Sequence, residues 1–309
     1  MTCRWRLLLG GELFMQRNFT ETFMKYVFVF CACVSIISII LIFYFIFEGG
    51  LPFILEEGVG KFVLGIEWRP THSVPKFGIF PMIMGSLSVT LGAIIIGVPI
   101  GVLSAIFLAF FCPKWLYRFV KPAINLMAAI PSIVYGFFGL LTLVPLSRDI
   151  MNALGMTERG NTGMNVFTAS VLLGIMILPT IIGLSEASLR AVPTSFYQAS
   201  VGLGATHERS VMSVVVPAAS SGILSSVILG IGRAIGETMA VILVAGNQPI
   251  IPSALNHGTR TLTTNIVLEM AYAAGRHRES LIATAVVLFI FIIIINSIFM
   301  YVKSKGDKY

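Results

Sequence analysis

Apolar positions in this chain do not recur in stripes; they run together in long blocks. Six stretches, residues 26–47, 77–113, 122–147, 160–185, 210–259 and 280–302, hold no Asp, Glu, Lys or Arg except Arg233 and Glu237 inside the fifth. Each is long enough for one membrane-spanning helix. At a rise of ~1.5 Å per residue the last reaches roughly 34 Å, enough to cross a hydrocarbon layer of about 30 Å with some tilt. Within it, residues 288–295 are uninterrupted Leu, Phe and Ile, which leaves no polar face for a soluble partner. Transmembrane strands would need alternating segments of about ten residues, and none of these runs alternates. The predicted fold class is all-α: a polytopic membrane protein of about six transmembrane helices spanning 26–302, with tails at 1–25 and 303–309.

Composition sharpens this picture. The 309 residues are 56% hydrophobic and 11% charged, against roughly 25% charged in a soluble domain, which excludes disorder and an ordinary soluble enzyme. A net charge of +7 would suggest nucleic acid for a soluble chain. Here it reads as topology. With the N-terminus inside, twelve Lys and Arg, among them Lys114, Arg118, Lys121, Arg190 and Arg209, fall in inner segments and eight in outer loops. Carboxylates cancel the outer excess but not the inner one, so both termini are expected in the cytoplasm and nucleic acid is not an expected partner.

Cysteines fit the same placement. Cys3 and Cys112 fall in or beside inner segments, Cys31 and Cys33 within the first span, and no outer loop holds one, so no structural disulfide is expected. Arg4, Arg6 and the leucines at 7–9 loosely mimic a signal peptide, but the apolar stretch is short and no small-residue cleavage site follows. The first 20 residues are read as a cytoplasmic tail, and Met15 offers an alternative start. His72, His207, His257 and His277 lie in loops without metal-ligand spacing, and the adjacent Glu56 and Glu57 suit a solvated face, so no metal and no cofactor is expected. No phosphate-loop motif exists in the chain, and the outer loops, about 30 residues each, are too short for a binding domain. If transport is driven by ATP, the ATPase and any high-affinity receptor are expected to be other polypeptides, and the chain itself is read as a transporter subunit without covalent chemistry.

The inner segment 186–217 between the fourth and fifth spans carries the most information. Ser195 followed by Gln198 reads as a capping box that starts a helix. Gly204 is placed to end it in a left-handed turn, and Thr206 to cap a second helix that runs toward Pro217. A helix, a glycine bend and another helix at the membrane surface make a rigid elbow suited to dock a motor subunit. Gln198-Ala199-Ser200, with Gly204 six residues after Gln198 and Ala205, Thr206 and Pro217 beyond, resembles the EAA loop of ABC importer permeases. Gln198 stands where the family has Glu, and Ser200 where it has its second Ala.

Further motifs narrow the resemblance. Residues 130–139 (IPSIVYGFFG), 232–241 (GRAIGETMAV) and 268–270 (LEM) are similar to the permeases of phosphate ABC importers. The resemblance implies a type I importer permease (MetI-like) fold in the bacterial inner membrane. It also implies a second permease subunit as partner, a dimer of ATPase subunits, a periplasmic phosphate-binding protein, inorganic phosphate as substrate and an ATPase-coupling role for the elbow.

The residues of the fifth span support a pathway on their own terms. Arg233 and Glu237, four apart in a helix, would share one face; charge at membrane depth is costly, roughly 2.5–3.5 kcal/mol for Arg on insertion scales, so it implies mutual pairing or a wet cavity and marks function or a buried bridge. Gly232 and Gly236 form a small-xxx-small pattern that invites another backbone. Thr238, Ser132 and Tyr135 offer hydroxyls to a passing oxyanion, and Pro99, Pro131 and Pro179 are expected within spans, where each removes a backbone donor. A permease for sulfate or molybdate, an ion-coupled carrier acting alone and a membrane-embedded enzyme are the competing readings. A carrier would need its own midplane ion site and usually internal repeats, and an enzyme a nucleophile or metal cluster.

Overall fold

The computed structural model describes residues 3–156 and 162–306. Five helices are long and apolar enough to cross a membrane, and six if a bent pair counts as one span. In chain order, α1 (Cys3–Glu57) leads into α2 (Val59–Leu64), the hairpin strands β1 (Trp68–Arg69) and β2 (Lys76–Phe77), and α3 (Phe80–Ile106) with its π-helical extension Phe107–Phe111. Next come α4 (Lys114–Ala129), α5 (Ser132–Phe138), a π turn at Gly139–Leu143, and α6 (Val144–Ala153). Then follow α7 (Val166–Ala191), α8 (Thr194–Gly202), α9 (His207–Ser210), a π turn at Val211–Val215, α10 (Val216–Ala218) and α11 (Ser220–Gly236). The chain closes with α12 (Met239–Val244), α13 (Leu262–Met270) and α14 (Arg276–Gly306).

Several expected boundaries move, each for a local reason. The expected break between tail and span at residue 26 is absent, because α1 runs unbroken from Cys3. The third span does not start at Pro122: Pro131 has no amide hydrogen, and Ile130 before it is extended (φ −69°, ψ 128°), so the helix stops at Ala129 and resumes at Ser132. What precedes is α4, an amphipathic helix whose Tyr117, Lys121 and Ile124 point inward at i, i+4, i+7. Pro131 therefore lies between helices, whereas Pro99 and Pro179 stay inside α3 and α7. The expected start of the fourth span at Gly160 lies outside the described residues; α7 starts after Asn165, whose side chain accepts the Thr168 amide at 2.9 Å. The fifth run is bent by 67° between His207–Ala218 and Ser220–Gly236, and it ends in a second break before α12. The expected last tail begins inside α14, which is helical to Gly306; residues 307–309 lie outside the described residues.

α7 is the hub. Two thirds of its apolar window (67%) is buried in the chain, against none for α1, which leaves α1 to face lipid or another subunit. Between spans there is no water to drive helices together, so close backbone approach and dispersion must do it. α3 meets α7 through Gly92, Gly97 and Gly101, where a Cβ would strike Ser170, the Gly174 carbonyl and Ile181. Around that seam Val89, Ala93, Leu172, Leu173, Met176 and Ile177 form the main core, joined by Ala240, Val241 and Val244 of α12.

A second cluster closes the end opposite the elbow. Phe53, Phe62, Trp68, Phe77, Met82, Leu262 and Leu281 bury the hairpin against α3, α13 and α14. At its edge the buried Glu269 accepts from Trp68 Nε1 (3.0 Å) and from Arg260 Nη1, and meets His277 Nε2 at 2.8 Å. A carboxylate this enclosed is stable only with its lone pairs occupied, and the three partners come from three different segments.

The α3–α7 seam predicts a selective cost. A Cβ at Gly97 would lie 2.8 Å from the Gly174 carbonyl oxygen, whereas one at Gly183 meets nothing within 4 Å. Gly97→Ala is expected to lose about 1–3 kcal/mol and Gly183→Ala close to nothing. Thermal unfolding of the two purified variants in detergent checks this, and equal midpoints would show that the seam is not tight.

Candidate functional site

The elbow is built by its punctuation. α8 starts at Thr194 rather than from a Ser195 capping box: Pro193 presets the turn, its carbonyl takes the Phe196 amide (3.1 Å), and no side chain caps the helix. Ser195 therefore lies inside the first turn, and Gln198 and Ala199 follow on the same short helix. At the other end Gly204 adopts φ +87°. Its amide donates to the Val201 carbonyl at 2.9 Å while the Ala205 amide donates to Ser200 at 3.2 Å, the paired bonds of a Schellman turn. Thr206 then accepts the Arg209 amide and starts α9. From there the chain stays helical through the π turn and Pro217 to the bend at Ala219.

Side chains lock the two limbs. Ser200 and Ser210 hydroxyls meet at 3.0 Å across the bend. His207 Nε2 lies 3.3 Å from the Phe110 carbonyl and Nδ1 2.8 Å from the Tyr197 hydroxyl. Because a carbonyl only accepts, Nε2 carries the hydrogen and Nδ1 accepts from Tyr197. His207 thus ties the elbow to the end of α3, a role no spacing rule announced. Below it Glu186, its side chain only 3% exposed, accepts from Tyr117 (2.8 Å), Lys121 (2.7 Å) and Arg190 Nε (2.9 Å), and Arg190 also donates to the Leu108 carbonyl. Donation to that carboxylate, with burial added, raises the Tyr117 phenol above its ordinary range. The i,i+4 pairs Glu186/Arg190 and Tyr117/Lys121 were the available signal for this clamp. On the elbow's outer side nothing in α8 is buried, and Leu203, 90% exposed, stands out with Phe196 and Met212.

The fifth span corrects the expected Arg233–Glu237 pair. α11 ends at Gly236 and Glu237 is extended (φ −69°, ψ 132°), so the i,i+4 geometry does not exist. The Glu237 carboxylate turns to the backbone, accepting the amides of Thr238 (3.1 Å) and Ala240 (3.2 Å) at the start of α12. Thr238 donates its hydroxyl to the Gly236 carbonyl, and Thr263 of α13 donates to the Glu237 carbonyl at 3.1 Å. Short side-chain acceptors commonly outcompete helix continuation in this way. Arg233 points elsewhere, with Nη1 3.4 Å from the Thr180 hydroxyl and no carboxylate within 4 Å among the described residues. It lines an open groove of about 980 Å³ between α11 and α14.

The remaining expected pathway residues gather at the break. α5 packs against α12, with the position of a Gly136 Cβ 2.8 Å from the Ala240 Cα. Tyr135 is buried there and donates its hydroxyl to the Met127 carbonyl at 2.9 Å. Ser132 is half-buried at the start of α5. A Cβ at Gly232 or Gly236 would meet no atom within 4 Å, so no helix among the described residues packs closely on their small-residue face.

Six apolar passages, a broken fifth span and a protruding helical elbow define a multi-pass membrane permease. The chain belongs to the family described as binding-protein-dependent transport system inner membrane component, whose model matches residues 97–305. It is 36% identical over 244 residues to the probable ABC transporter permease protein YqgH of Bacillus subtilis, covering 78% of this chain and 77% of that protein. It is also 34% identical over 263 residues to the phosphate transport system permease protein PstC of Haemophilus influenzae, covering 81% and 83%. Among solved structures it is similar to the MetNI methionine ABC transporter, with TM-score 0.58 and 21% identity over 74% of this chain and 95% of that one. An alginate importer structure gives 0.53 at 11% identity, covering 78% and 88%. At those identities the two structures speak for the MetI-like fold.

Two predictions arise from this geometry. Gly204→Val places a β-branched side chain at positive φ, costing roughly 1–2 kcal/mol, whereas Gly204→Asn is tolerated there more readily. At equal membrane abundance, recovery of an ATPase subunit with the permease is expected to fall for Val and to hold for Asn; full recovery with Val would remove the docking role. Glu237→Gln keeps the acceptor oxygen and Glu237→Ala loses it, so Ala is expected to lose about 1 kcal/mol and Gln little. Thermal unfolding checks this; equal loss in both would mean that the charge, rather than the cap, matters.

Proposed function

We propose that this chain is one of two permease subunits of an ATP-driven phosphate importer in the bacterial inner membrane, with the elbow and both termini on the cytoplasmic side. The observation that carries the proposal is the joint presence of the elbow and an Arg233 that has no carboxylate partner among the described residues, beside a broken span. The name and coverage of the Haemophilus relative support phosphate as the substrate. An ATPase dimer engages the exposed face around Phe196, Leu203 and Met212, and closure of that dimer moves the elbow. His207 and the Glu186 clamp pass the movement to α3, α4 and α7. The second permease covers the open face at Gly232 and Gly236, and a periplasmic phosphate-binding protein delivers the anion to the end closed by the hairpin and Glu269.

Phosphate at neutral pH is a mixture of mono- and dianion, so the path needs positive potential without a tight trap. Arg233 supplies it. Its planar guanidinium binds two phosphate oxygens at once, which an ammonium does not reproduce. Because Glu237 is committed to the backbone, it shapes the break and does not neutralise Arg233.

The test is reconstitution. The chain alone in liposomes is expected to move no phosphate; with ATPase, second permease and binding protein it is expected to take up phosphate and not sulfate or molybdate. Arg233→Ala is expected to abolish uptake with assembly intact, and Arg233→Lys to restore little. Uptake by the chain alone would favour an ion-coupled carrier, and wild-type uptake by Arg233→Ala would overturn the pathway role.

A further inference from the structure

The groove that Arg233 lines has a second wall that the fifth span does not explain. α14 is an apolar helix, yet Asn296, Met300, Lys303 and Ser304 share one of its faces at i, i+4, i+7 and i+8, and that face turns toward α11 rather than outward. Opposite it, α11 presents Ser225 and, eight residues on, Arg233. α11 and α14 are consecutive spans and run in opposite directions. Helical rise puts Arg233 about 12 Å from the Ser225 level and Asn296 about 10 Å from the Lys303 level. Two tiers result: Arg233, Thr180 and Asn296 inside, and Ser225, Lys303 and Ser304 nearer the elbow end.

Charge decides what such a groove accepts. Both tiers hold one cation and neutral hydrogen-bonding groups, and no carboxylate is among the described lining residues. No ion pair holds Lys303 or Arg233 among the described residues, and there the Arg233 guanidinium has one hydrogen-bond partner, the Thr180 hydroxyl at 3.4 Å. A concave surface with two such cations and apolar walls attracts an anion and weakens electrostatic competition from water. The Asn296 amide and Thr180 hydroxyl beside Arg233 and the Ser304 hydroxyl beside Lys303 suit an oxyanion bearing several acceptor oxygens, whereas Ser225 spends its hydroxyl hydrogen on the Ser221 carbonyl at 2.7 Å.

We infer that Asn296 and Lys303 of α14, with Ser304, form an exit station for phosphate on the elbow side of Arg233, an inference that rests on the phosphate reading above. Arg233 and Thr180 hold the anion at the inner tier. Asn296 accompanies its transfer, and Lys303 draws it to the mouth of the groove. Two sites of like charge let the anion leave Arg233 without crossing an uncompensated apolar gap. Thr180 acts as a positioning residue through its contact with the guanidinium.

The experiment uses the assembled importer in liposomes of phosphatidylcholine alone, at equal amounts of assembled complex. Lys303→Gln and Asn296→Leu are each expected to lower maximal uptake on the order of tenfold with the external half-saturating phosphate unchanged. Lys303→Arg is expected to recover most of the rate. Inhibition of uptake by phosphate loaded inside the vesicles is expected to require several-fold more phosphate in Lys303→Gln. Wild-type uptake and wild-type internal inhibition in both variants, while Arg233→Ala remains inactive, would overturn the exit station and leave the phosphate reading standing. Failure of the unaltered complex to take up phosphate would instead remove that reading. Should the unaltered complex fall to the variants' rate in phosphatidylcholine and recover when phosphatidylglycerol is added, the groove holds a lipid headgroup and the exit station is overturned.

Discussion

Inside a bilayer the backbone has no water to bond, so each interruption of a helix must be satisfied by the protein itself. The break after Gly236 is where that constraint presses hardest. Its freed amides go to the Glu237 carboxylate and its carbonyls to the hydroxyls of Thr238 and Thr263. Spending the carboxylate this way separates it from Arg233 and leaves a positive charge at the groove without a countercharge among the described residues. The role proposed for Arg233 depends on that allocation, because a paired Arg233 would have little left to offer an anion.

The elbow solves a different problem. A surface that docks a motor subunit, the role proposed for it, must be rigid within itself and fastened to the spans. Rigidity comes from the Schellman turn at Gly204 and the Ser200–Ser210 contact; fastening comes from His207 on the end of α3 and from Glu186, which gathers α4 and the end of α7. Each attachment uses a group with a fixed direction, a ring nitrogen or a carboxylate lone pair, rather than apolar contact that can slide. At the far end Glu269 plays the same part for the hairpin, α13 and α14. The two buried carboxylates thus sit one at each end of the molecule, with the glycine-lined α3–α7 seam between them.

Much of this was legible in the chain. Uninterrupted apolar runs specified a membrane protein and the order of its spans, because helical rise and bilayer thickness leave little choice; they did not specify the ends, since the third span starts at Ser132 rather than Pro122 and the fifth run is bent and then broken after Gly236. Gly204 and Thr206 announced the elbow, since few residues can occupy a left-handed turn or cap a helix. Motif spacing reached the family. Less legible was any feature in which two local solutions compete. Arg233 and Glu237 at i,i+4 read as a pair, and Ser195 with Gln198 read as a cap; in both places a nearby backbone group, or Pro193, offered a better partner.

What the sequence by itself determined was therefore one-dimensional: where the chain is apolar, where it must turn, and which charges enter the membrane. Tertiary structure alone decided which groups meet across long separations. Tyr117 with Glu186, Phe110 with His207, Trp68 with Glu269, and Arg233 with Thr180 are dozens to hundreds of residues apart, and no periodicity encodes them. The same holds for the groove wall of α14, whose Asn296 and Lys303 look like ordinary interruptions of an apolar run until α11 is packed beside them. Helical spacing fixes which residues share a face; only packing fixes what that face meets.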